Sequence, residues 1–417
     1  PGPVHLNLPF REPFLLPKNQ KPEEIIEDPD LQSWKAEKKP WISHPLPKIS
    51  ADAKLLENFA KNLPEQGILS IGRISPTSIS TVKKLANDLA WPVFADIASG
   101  LRLGPEFPNR VTYYDQLLID SDFIKSHPPQ KVIHLGFAPT SKRWLGEMEK
   151  PPADTLVWIK EGPSRLDPTN RFRNVFETSM EDFCREMISK LKKRKKSEWT
   201  IHWLDQSNKI EKLMEQFVTN HPLFSEMKLV RTLTKIIPES HALFLGNSLP
   251  VREVDFYGSG NGSEVKVGLN RGASGIDGLV ASSAGYSKGL NQPLTLLLGD
   301  LSLLHDLNSL KLISESPKPI VLIVLNNHGG GIFSFLPISE HKDIFETYFS
   351  TPHSLEFKDA AKMFKLSYFN PESPEEFESI YLKQASADKS CIIEVNTLKE
   401  DNIRVQKEWT EFLHQNR

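Results

Sequence analysis

The sequence has little cysteine, no long apolar run and almost no net charge, and each shortage excludes a class of protein. Two cysteines among 417 residues, Cys184 and Cys391, cannot build a disulfide scaffold or a cysteine-based zinc site, and we interpret them as buried thiols in a reducing compartment. No apolar run approaches the roughly 18 residues of a membrane span. The 51 basic and 53 acidic residues give a net charge of −2, which excludes whole-molecule attraction to nucleic acid or to an acidic membrane.

The beginning of the sequence also lacks a starting Met and the charged and apolar segments of a signal peptide. Residues 4–8 read instead as a strand from the middle of a domain, so we interpret residues 1–10 as the tail of a preceding domain and the chain as a fragment. Ten of the 32 prolines fall in the first 50 residues. Because Pro cannot donate to a ladder and resists helix interiors, residues 11–50 are predicted to form an extended surface linker.

From residue 51 onward, apolar strand patterns alternate with helical patterns. This alternation predicts βαβ units and parallel sheets, and hence an α/β fold of two doubly wound domains. A middle domain is expected at 51–205 and a second domain at 206–417. The predicted strands are 67–72, 91–95, 132–136 and 155–159 in the first of these, and 242–246, 265–269, 294–299, 320–325 and 391–395 in the second.

Polar clusters follow four predicted strands of the second domain. Asn247 and Ser248 come after the first strand, Asn270 and Arg271 after the second, Asp300 after the third, and 326–331 after the fourth. Ligands of open α/β sheets bind at the carboxyl ends of the strands, so these clusters predict a binding site.

The residues of these clusters suit a metal ion and an anion. Asp300 and the side-chain oxygen of Asn327 are hard ligands that suit Mg²⁺, which is often bound together with phosphates. Hydroxyl groups at helix starts, such as Ser248, suit an anion, and arginines suit a carboxylate or phosphate. Taken singly, each residue is better explained as a helix cap, a turn residue or part of a surface ion pair. The joint pattern indicates a metal-bridged diphosphate beside an anionic substrate.

Gly-Asp at 299–300 and Asn-Asn at 326–327 resemble the diphosphate and Mg²⁺ motif of thiamine diphosphate enzymes, although Leu301 stands where Gly is usual. That departure, within 299–308 (GDLSLLHDLN), resembles one branch, the MenD family of SEPHCHC synthases in menaquinone biosynthesis. Further stretches that resemble this branch are 246–252 (GNSLPVR), 270–278 (NRGASGIDG), 326–337 (NNHGGGIFSFLP), 91–102 (WPVFADIASGLR), 141–143 (SKR) and 165–168 (RLDP).

This resemblance implies decarboxylation of 2-oxoglutarate with thiamine diphosphate and addition of the succinyl unit to isochorismate. Three groups of site residues follow from it. Mg²⁺ would be held by Asp300, Asn327 and the carbonyl of Gly329. The cofactor would be contacted by Ser248, Leu249, Gly299, Asp300, Leu301, Ser302, Ile332 and Phe333, and bent by Ile276. Substrate carboxylates would be bound by Arg252, Arg271, Lys142 and Arg143. His328 and Gly331 receive no role.

In the family that the sequence resembles, a Glu of the first domain protonates the cofactor, and the site forms between subunits. The resemblance therefore implies a homodimer or homotetramer that includes the first domain, located in the cytoplasm of a bacterium or in a plastid of a plant. These 417 residues alone are expected to show little or no synthase activity, and full turnover would refute this. Two alternatives stay open: another thiamine diphosphate enzyme, such as an acetolactate synthase or 2-oxoacid decarboxylase, and a non-catalytic cofactor-binding module.

Overall fold

The computed structural model describes residues 5–9, 29–37, 42, 51–105, 107–162 and 167–416, and the chain divides into two compact units, 1–48 and 49–417. In the first unit, helix α1 (Pro29–Glu37) lies within the predicted extended linker, so that prediction is wrong for these residues. Pro suits the start of a helix, where its missing N–H costs no hydrogen bond. Residues 5–8 of the predicted first strand have no regular structure. Val4 and most of 11–50 lie outside the described residues.

The second unit begins with a five-stranded parallel sheet. Its strands are β1 (Gly67–Ile71), β2 (Val93–Ala95), β3 (Lys131–Leu135), β4 (Leu156–Lys160) and β5 (Asn174–Glu177), in the order β2-β1-β3-β4-β5. The helices around it are α2 (Ala53–Lys61), α3 (Ile79–Leu89), α4 (Tyr114–Leu117), α5 (Ser121–Ser126), α6 (Lys142–Met148) and α7 (Met180–Lys190).

A six-stranded parallel sheet follows along the chain. Its strands are β6 (Ala242–Leu245), β7 (Val267–Leu269), β8 (Leu294–Gly299), β9 (Ile320–Asn326), β10 (Ser367–Phe369) and β11 (Cys391–Asn396), in the order β10-β11-β9-β8-β6-β7. The remaining α-helices are α8 (Glu198–Asn220), α9 (Glu226–Ile236), α10 (Leu249–Tyr257), α11 (Leu279–Leu290), α12 (Asp300–His305), α13 (Leu310–Ser314), α14 (Lys342–Phe345), α15 (Lys358–Met363), α16 (Pro374–Ala385) and α17 (Lys399–Asn416).

Both faces of the second sheet are buried, which explains its continuous apolar strands. Alternate side chains of one strand point to opposite faces. In β9, Val321 and Ile323 pack into one core cluster, while Leu322 and Val324 pack into the cluster on the other face. The α/β class with two parallel sheets, predicted from the sequence, is confirmed.

The sequence analysis missed two short edge strands, β5 and β10. Neither has a fully buried residue, so neither carries the apolar run from which a buried strand is predicted. Apolar residues between 303 and 313 recur at helical spacing, but the helical segment is interrupted near Asp306. The carboxylate of Asp306 accepts hydrogen bonds from the N–H groups of Val280 and Ala281 at the start of α11, a contact that the local sequence does not encode.

Helix α8 spans the predicted domain boundary between residues 205 and 206. Its Trp203 packs against Phe94 of β2, and its Phe217 packs against Trp409 of α17. The position of the boundary therefore stays a prediction. Among the described residues, none of the helices is long and apolar enough to cross a membrane.

Candidate functional site

The candidate site is a cleft at the carboxyl ends of β6, β8 and β9. Within the sheet, β7 lies next to β6 on one edge, and β8, which follows β7 in the chain, lies next to β6 on the opposite edge. The gap between β6 and β8 is therefore a topological switch point. Loops diverge at such a point and leave a crevice that ligands occupy. The cleft has a volume of about 260 Å³. Its lining includes Ser248, Leu249, Arg252, Arg271, Ile276, Gly299, Asp300, Leu301, Ser302, Asn327, Gly329, Ile332 and Phe333.

Asp300 lies at the start of α12, directly after β8, and is almost completely buried. Its Oδ1 accepts the N–H of Leu301 at 2.6 Å, and its Oδ2 accepts the N–H of Gly329 at 2.9 Å. Burial raises the pKa of Asp300, and these two hydrogen bonds oppose the rise. Nε2 of His353 lies 3.2 Å from Oδ2, without the alignment of a hydrogen bond. A buried carboxylate of this kind gains from a nearby cation.

Asn327 follows β9 and supplies a second oxygen. Its Nδ2 donates to Glu226 Oε1 at 2.9 Å, whereas its Oδ1 is buried and has no hydrogen-bond partner among the described residues. Buried polar atoms are rarely left unpaired, so this oxygen fits a ligand that is not protein.

Gly329 completes the oxygen set. Its φ of +147° suits glycine, and an added Cβ would lie 2.3 Å from the carbonyl oxygen of Ser350. Its own carbonyl accepts the N–H of Gly331 at 3.0 Å, which leaves one lone pair. Carboxylate, amide and backbone carbonyl oxygens are the ligands that Mg²⁺ prefers, so these residues fit such an ion.

Two helices begin at the cleft. Ser248 precedes α10 with φ +74° and ψ −128°, and its side chain makes no capping hydrogen bond. Ser302 is buried in the first turn of α12. Backbone N–H groups in the first turn of a helix have no intrahelical partner, so both starts favour a bound anion.

Arg252 and Arg271 give the cleft its positive charge. Nη1 of Arg252 donates to the carbonyl of Ser248 at 2.5 Å, and Nη1 of Arg271 is buried without a partner among the described residues. Burial and the charge of Arg271 lower the pKa of Arg252. The repulsion between these two cations favours the binding of an anion beside them.

Lys142 and Arg143 do not line this cleft. They begin α6, and Nη1 of Arg143 donates to Oδ2 of the buried Asp115 at 2.5 Å. Ser141, in the same stretch, caps α6 and donates to Oδ1 of Asp115. Arg165 lies outside the described residues.

Sequence reasoning missed His353, Glu226, whose buried side chain lines the cleft, and the buried carboxyl group of Glu253. Burial, together with the charge and hydrogen bond of Glu226, raises the pKa of Glu253 well above its usual range. Glu226 lies 101 positions before Asn327, so no local motif signals their contact. A Glu at the first position of an amphipathic helix is read as a favourable charge at the helix N-terminus.

Comparisons with known proteins identify the class to which the chain belongs. A family model described as "Middle domain of thiamine pyrophosphate" matches residues 28–245. Benzoylformate decarboxylase from Polynucleobacter necessarius shares the fold, with a TM-score of 0.61 over 87% of this chain and 68% of that chain, at 15% identity. The match to the family model places the chain among the thiamine diphosphate enzymes, and the shared fold agrees with it.

Curated relatives narrow this class. The chain is 37% identical over 410 residues to the 2-succinyl-5-enolpyruvyl-6-hydroxy-3-cyclohexene-1-carboxylate synthase of Rubrobacter xylanophilus, covering 98% of this chain and 70% of that protein. The enzymes of the same name from Chlorobium phaeobacteroides and Salinibacter ruber are 36% and 34% identical, with 97% of this chain covered in each case and 69% and 68% of the relatives. The chain belongs to this family, the SEPHCHC synthases.

Proposed function

We propose that the chain functions within a SEPHCHC synthase of menaquinone biosynthesis, which decarboxylates 2-oxoglutarate with thiamine diphosphate and adds the succinyl unit to isochorismate. The observation that carries the proposal is the composition of the cleft. It combines the buried carboxylate of Asp300, the unpaired Oδ1 of Asn327 and the cations of Arg252 and Arg271. Few functions other than the binding of a metal-bridged diphosphate beside an anionic substrate account for this combination.

Asp300, Asn327 and the Gly329 carbonyl would hold Mg²⁺. The N–H groups at the starts of α10 and α12, with the hydroxyls of Ser248 and Ser302, would bind the diphosphate oxygens. The ion and the helix starts together would offset the negative charge of the diphosphate, which a buried site could not otherwise hold.

Apolar residues would orient the cofactor and exclude water. These are Leu249, Leu301, Ile276, Ile332 and Phe333, all of which line the cleft. When bound, thiamine diphosphate supplies the electron sink for the loss of CO₂, while the protein orients it and tunes its surroundings. Phe333 is held by edge-on contact with Phe349, with ring centroids 5.7 Å apart, so this wall is packed.

Arg252 and Arg271 would bind the carboxylates of the two anionic substrates. The unpaired Nη1 of Arg271 is the donor best suited to this task. Lys142 and Arg143 would act on the same substrates only if these extend beyond the cleft. We also propose that the enzyme works as a homodimer or homotetramer, which sedimentation analysis of the purified protein tests.

Thermal unfolding tests the cofactor site. Mg²⁺ and thiamine diphosphate together should raise the unfolding temperature of the chain, and neither should do so alone. The increase should be measurable, because a ligand at a hundredfold its Kd stabilises the folded state by about 2.7 kcal/mol. Asp300→Ala should abolish the response. Asp359→Ala removes an exposed carboxylate outside the cleft and should keep it. An unchanged response in Asp300→Ala would contradict the metal site.

A second experiment tests the substrate. With Mg²⁺ and thiamine diphosphate present, 2-oxoglutarate should stabilise the chain further, and Arg271→Met should weaken this effect at least about tenfold in apparent Kd, as expected for a charge-assisted hydrogen bond of roughly 1.5–3 kcal/mol. Pyruvate, which lacks the second carboxylate, should have little effect. Stabilisation by pyruvate alone would favour an acetolactate synthase or a 2-oxoacid decarboxylase instead.

A further inference from the structure

The Asn327 side chain can serve a metal ion only in one of its two orientations. An amide has an acceptor oxygen on one side and a donor NH₂ group on the other, and rotation about its last bond exchanges them. The NH₂ group cannot bind a cation. Something in the structure must therefore select the orientation in which Oδ1 faces the cleft.

Glu226 is placed to make this selection. It is fully buried at the first position of α9, and its own N–H donates to Oδ1 of Asn402 at 3.2 Å. The hydroxyl of Ser225 caps the same helix by accepting the N–H of Lys228. The backbone that carries the Glu226 carboxyl group is thus tied down on both sides.

One oxygen of this carboxyl group receives two hydrogen bonds. Oε1 of Glu226 accepts from Nδ2 of Asn327 at 2.9 Å and from Oγ1 of Thr397 at 3.0 Å. An ionised carboxylate only accepts hydrogen bonds, so the amide must turn its NH₂ group toward it. Oδ1 of Asn327 is then left facing away, buried and without a partner among the described residues.

The neighbouring Asn326 shows the contrast. Its Nδ2 also donates to a buried carboxylate, Oε1 of Glu394 at 2.6 Å, and to the carbonyl of Leu355 at 2.9 Å. Its Oδ1, however, accepts the N–H of His328 at 3.2 Å. Both asparagines are oriented by a carboxylate, but only Asn327 keeps an oxygen available for a ligand.

We infer that Glu226 is a positioning residue for the metal site: its carboxylate holds the Asn327 amide with Oδ1 toward the bound ion. This inference rests on the proposed function, because that function supplies the ion. A group that orients a metal ligand typically changes metal affinity by about 10- to 100-fold when it is removed.

Calorimetric titration with Mg²⁺ at saturating thiamine diphosphate tests this role without any turnover. Glu226→Met, which has a similar volume and no acceptor, should raise the Kd for Mg²⁺ by about 10- to 100-fold. Glu226→Gln can still accept both hydrogen bonds and should stay within about threefold of the wild type. Thr397→Val removes only the other donor to Oε1 and is the matched control, with the same threefold limit.

Three results would overturn the inference. The first is a Kd for Glu226→Met within about threefold of the wild type. The second is a loss in Thr397→Val as large as in Glu226→Met, which would indicate general disturbance. The third is a loss of Mg²⁺ affinity in Glu226→Gln as large as that in Glu226→Met, because the charge of Glu226 and not its hydrogen bond to Asn327 would then support Mg²⁺ binding. Should Glu226→Met not fold, Glu226→Asp, whose carboxylate is withdrawn by one methylene, should weaken Mg²⁺ binding at least about fivefold, and unchanged binding would again overturn the inference.

The wild type separates this inference from the proposed function. If the wild-type chain shows no Mg²⁺-dependent binding of thiamine diphosphate, the proposed metal site is wrong. If the wild type binds both and only the Glu226 variants behave otherwise than expected, the site stands and the positioning role is wrong.

Discussion

Arg102 joins the first sheet of the second unit to the helix that begins at the cleft. It is completely buried, and it comes from the loop after β2. Its Nε donates to the carbonyl of Asp255 at 3.1 Å and its Nη2 to the carbonyl of Gly258 at 3.0 Å. Both carbonyls lie at the C-terminal end of α10, where the last turn has no intrahelical donors and where a cation also suits the helix dipole.

Arg102→Met removes both donors and keeps an unbranched apolar stem. A buried carbonyl left without a partner costs about 1–3 kcal/mol, so the lost bond to Asp255 predicts a decrease of at least this size in the free energy of unfolding. The Gly258 carbonyl keeps the hydroxyl of Tyr113 as a donor at 3.4 Å, so its lost bond to Arg102 adds less. The Asp255 carbonyl finds no replacement in water, because the Arg102 site is 0% exposed. The guanidinium also lies 5.2 Å from the ring centroid of Tyr113, and this contact adds to the loss.

Urea unfolding followed by circular dichroism measures this loss, with hydrogen exchange at α10 as a local readout. Arg185→Met is the matched control, because Arg185 is an exposed helix residue whose partners are Glu181 and Asp182. Exposed ion pairs contribute about 0–1 kcal/mol. A loss in Arg102→Met below about 1 kcal/mol, or no larger than that in Arg185→Met, would refute the reasoning.

Two further predictions concern the residues under and beside the cleft. The raised pKa of Glu253 means that the folded chain favours its protonated form, and that stability is lost as pH rises through this raised pKa. Glu253→Gln stays neutral, so its urea midpoint relative to the wild type should increase between about pH 5 and pH 8; an equal difference at both values would contradict this. Gly329→Ala should lose at least about 2 kcal/mol to the contact with the Ser350 carbonyl. Gly285→Ala, in an exposed helix position with open space, should gain about 0.5–1 kcal/mol, and similar losses in both would contradict the steric argument.

Much of the candidate site was predictable because its residues follow directly after buried strands. Asp300 directly follows β8 and Asn327 directly follows β9, and the apolar runs of both strands are evident in the sequence. In a parallel sheet the carboxyl ends of the strands share one edge, so such residues meet there without any knowledge of the loops. All of the predicted cofactor and metal residues line one cleft for this reason.

The residues that tune the site could not be predicted in this way. His353 lies in a loop 53 positions beyond Asp300, and Thr397 reaches Glu226 from 171 positions away. Such contacts depend on how α9, α17 and the loops pack on the sheet. A helical position that contacts a metal ligand and one that contacts only a neighbouring apolar side chain have the same local sequence pattern.

The sequence by itself determined the α/β class, the order of most strands along the chain and the identity of the candidate metal ligands. The class and the strands follow from periodicity, and Asp300 and Asn327 from their positions relative to strand ends, which are local properties. Gly329 follows from the family resemblance. Only the tertiary structure decided which side chains orient those ligands. Glu226 selects the oxygen of Asn327, and Arg102 completes the end of α10, through contacts that span 101 and 153 positions. Burial of apolar faces drives the packing that brings these segments together. Hydrogen bonding then fixes the orientation of the polar groups that are buried with them.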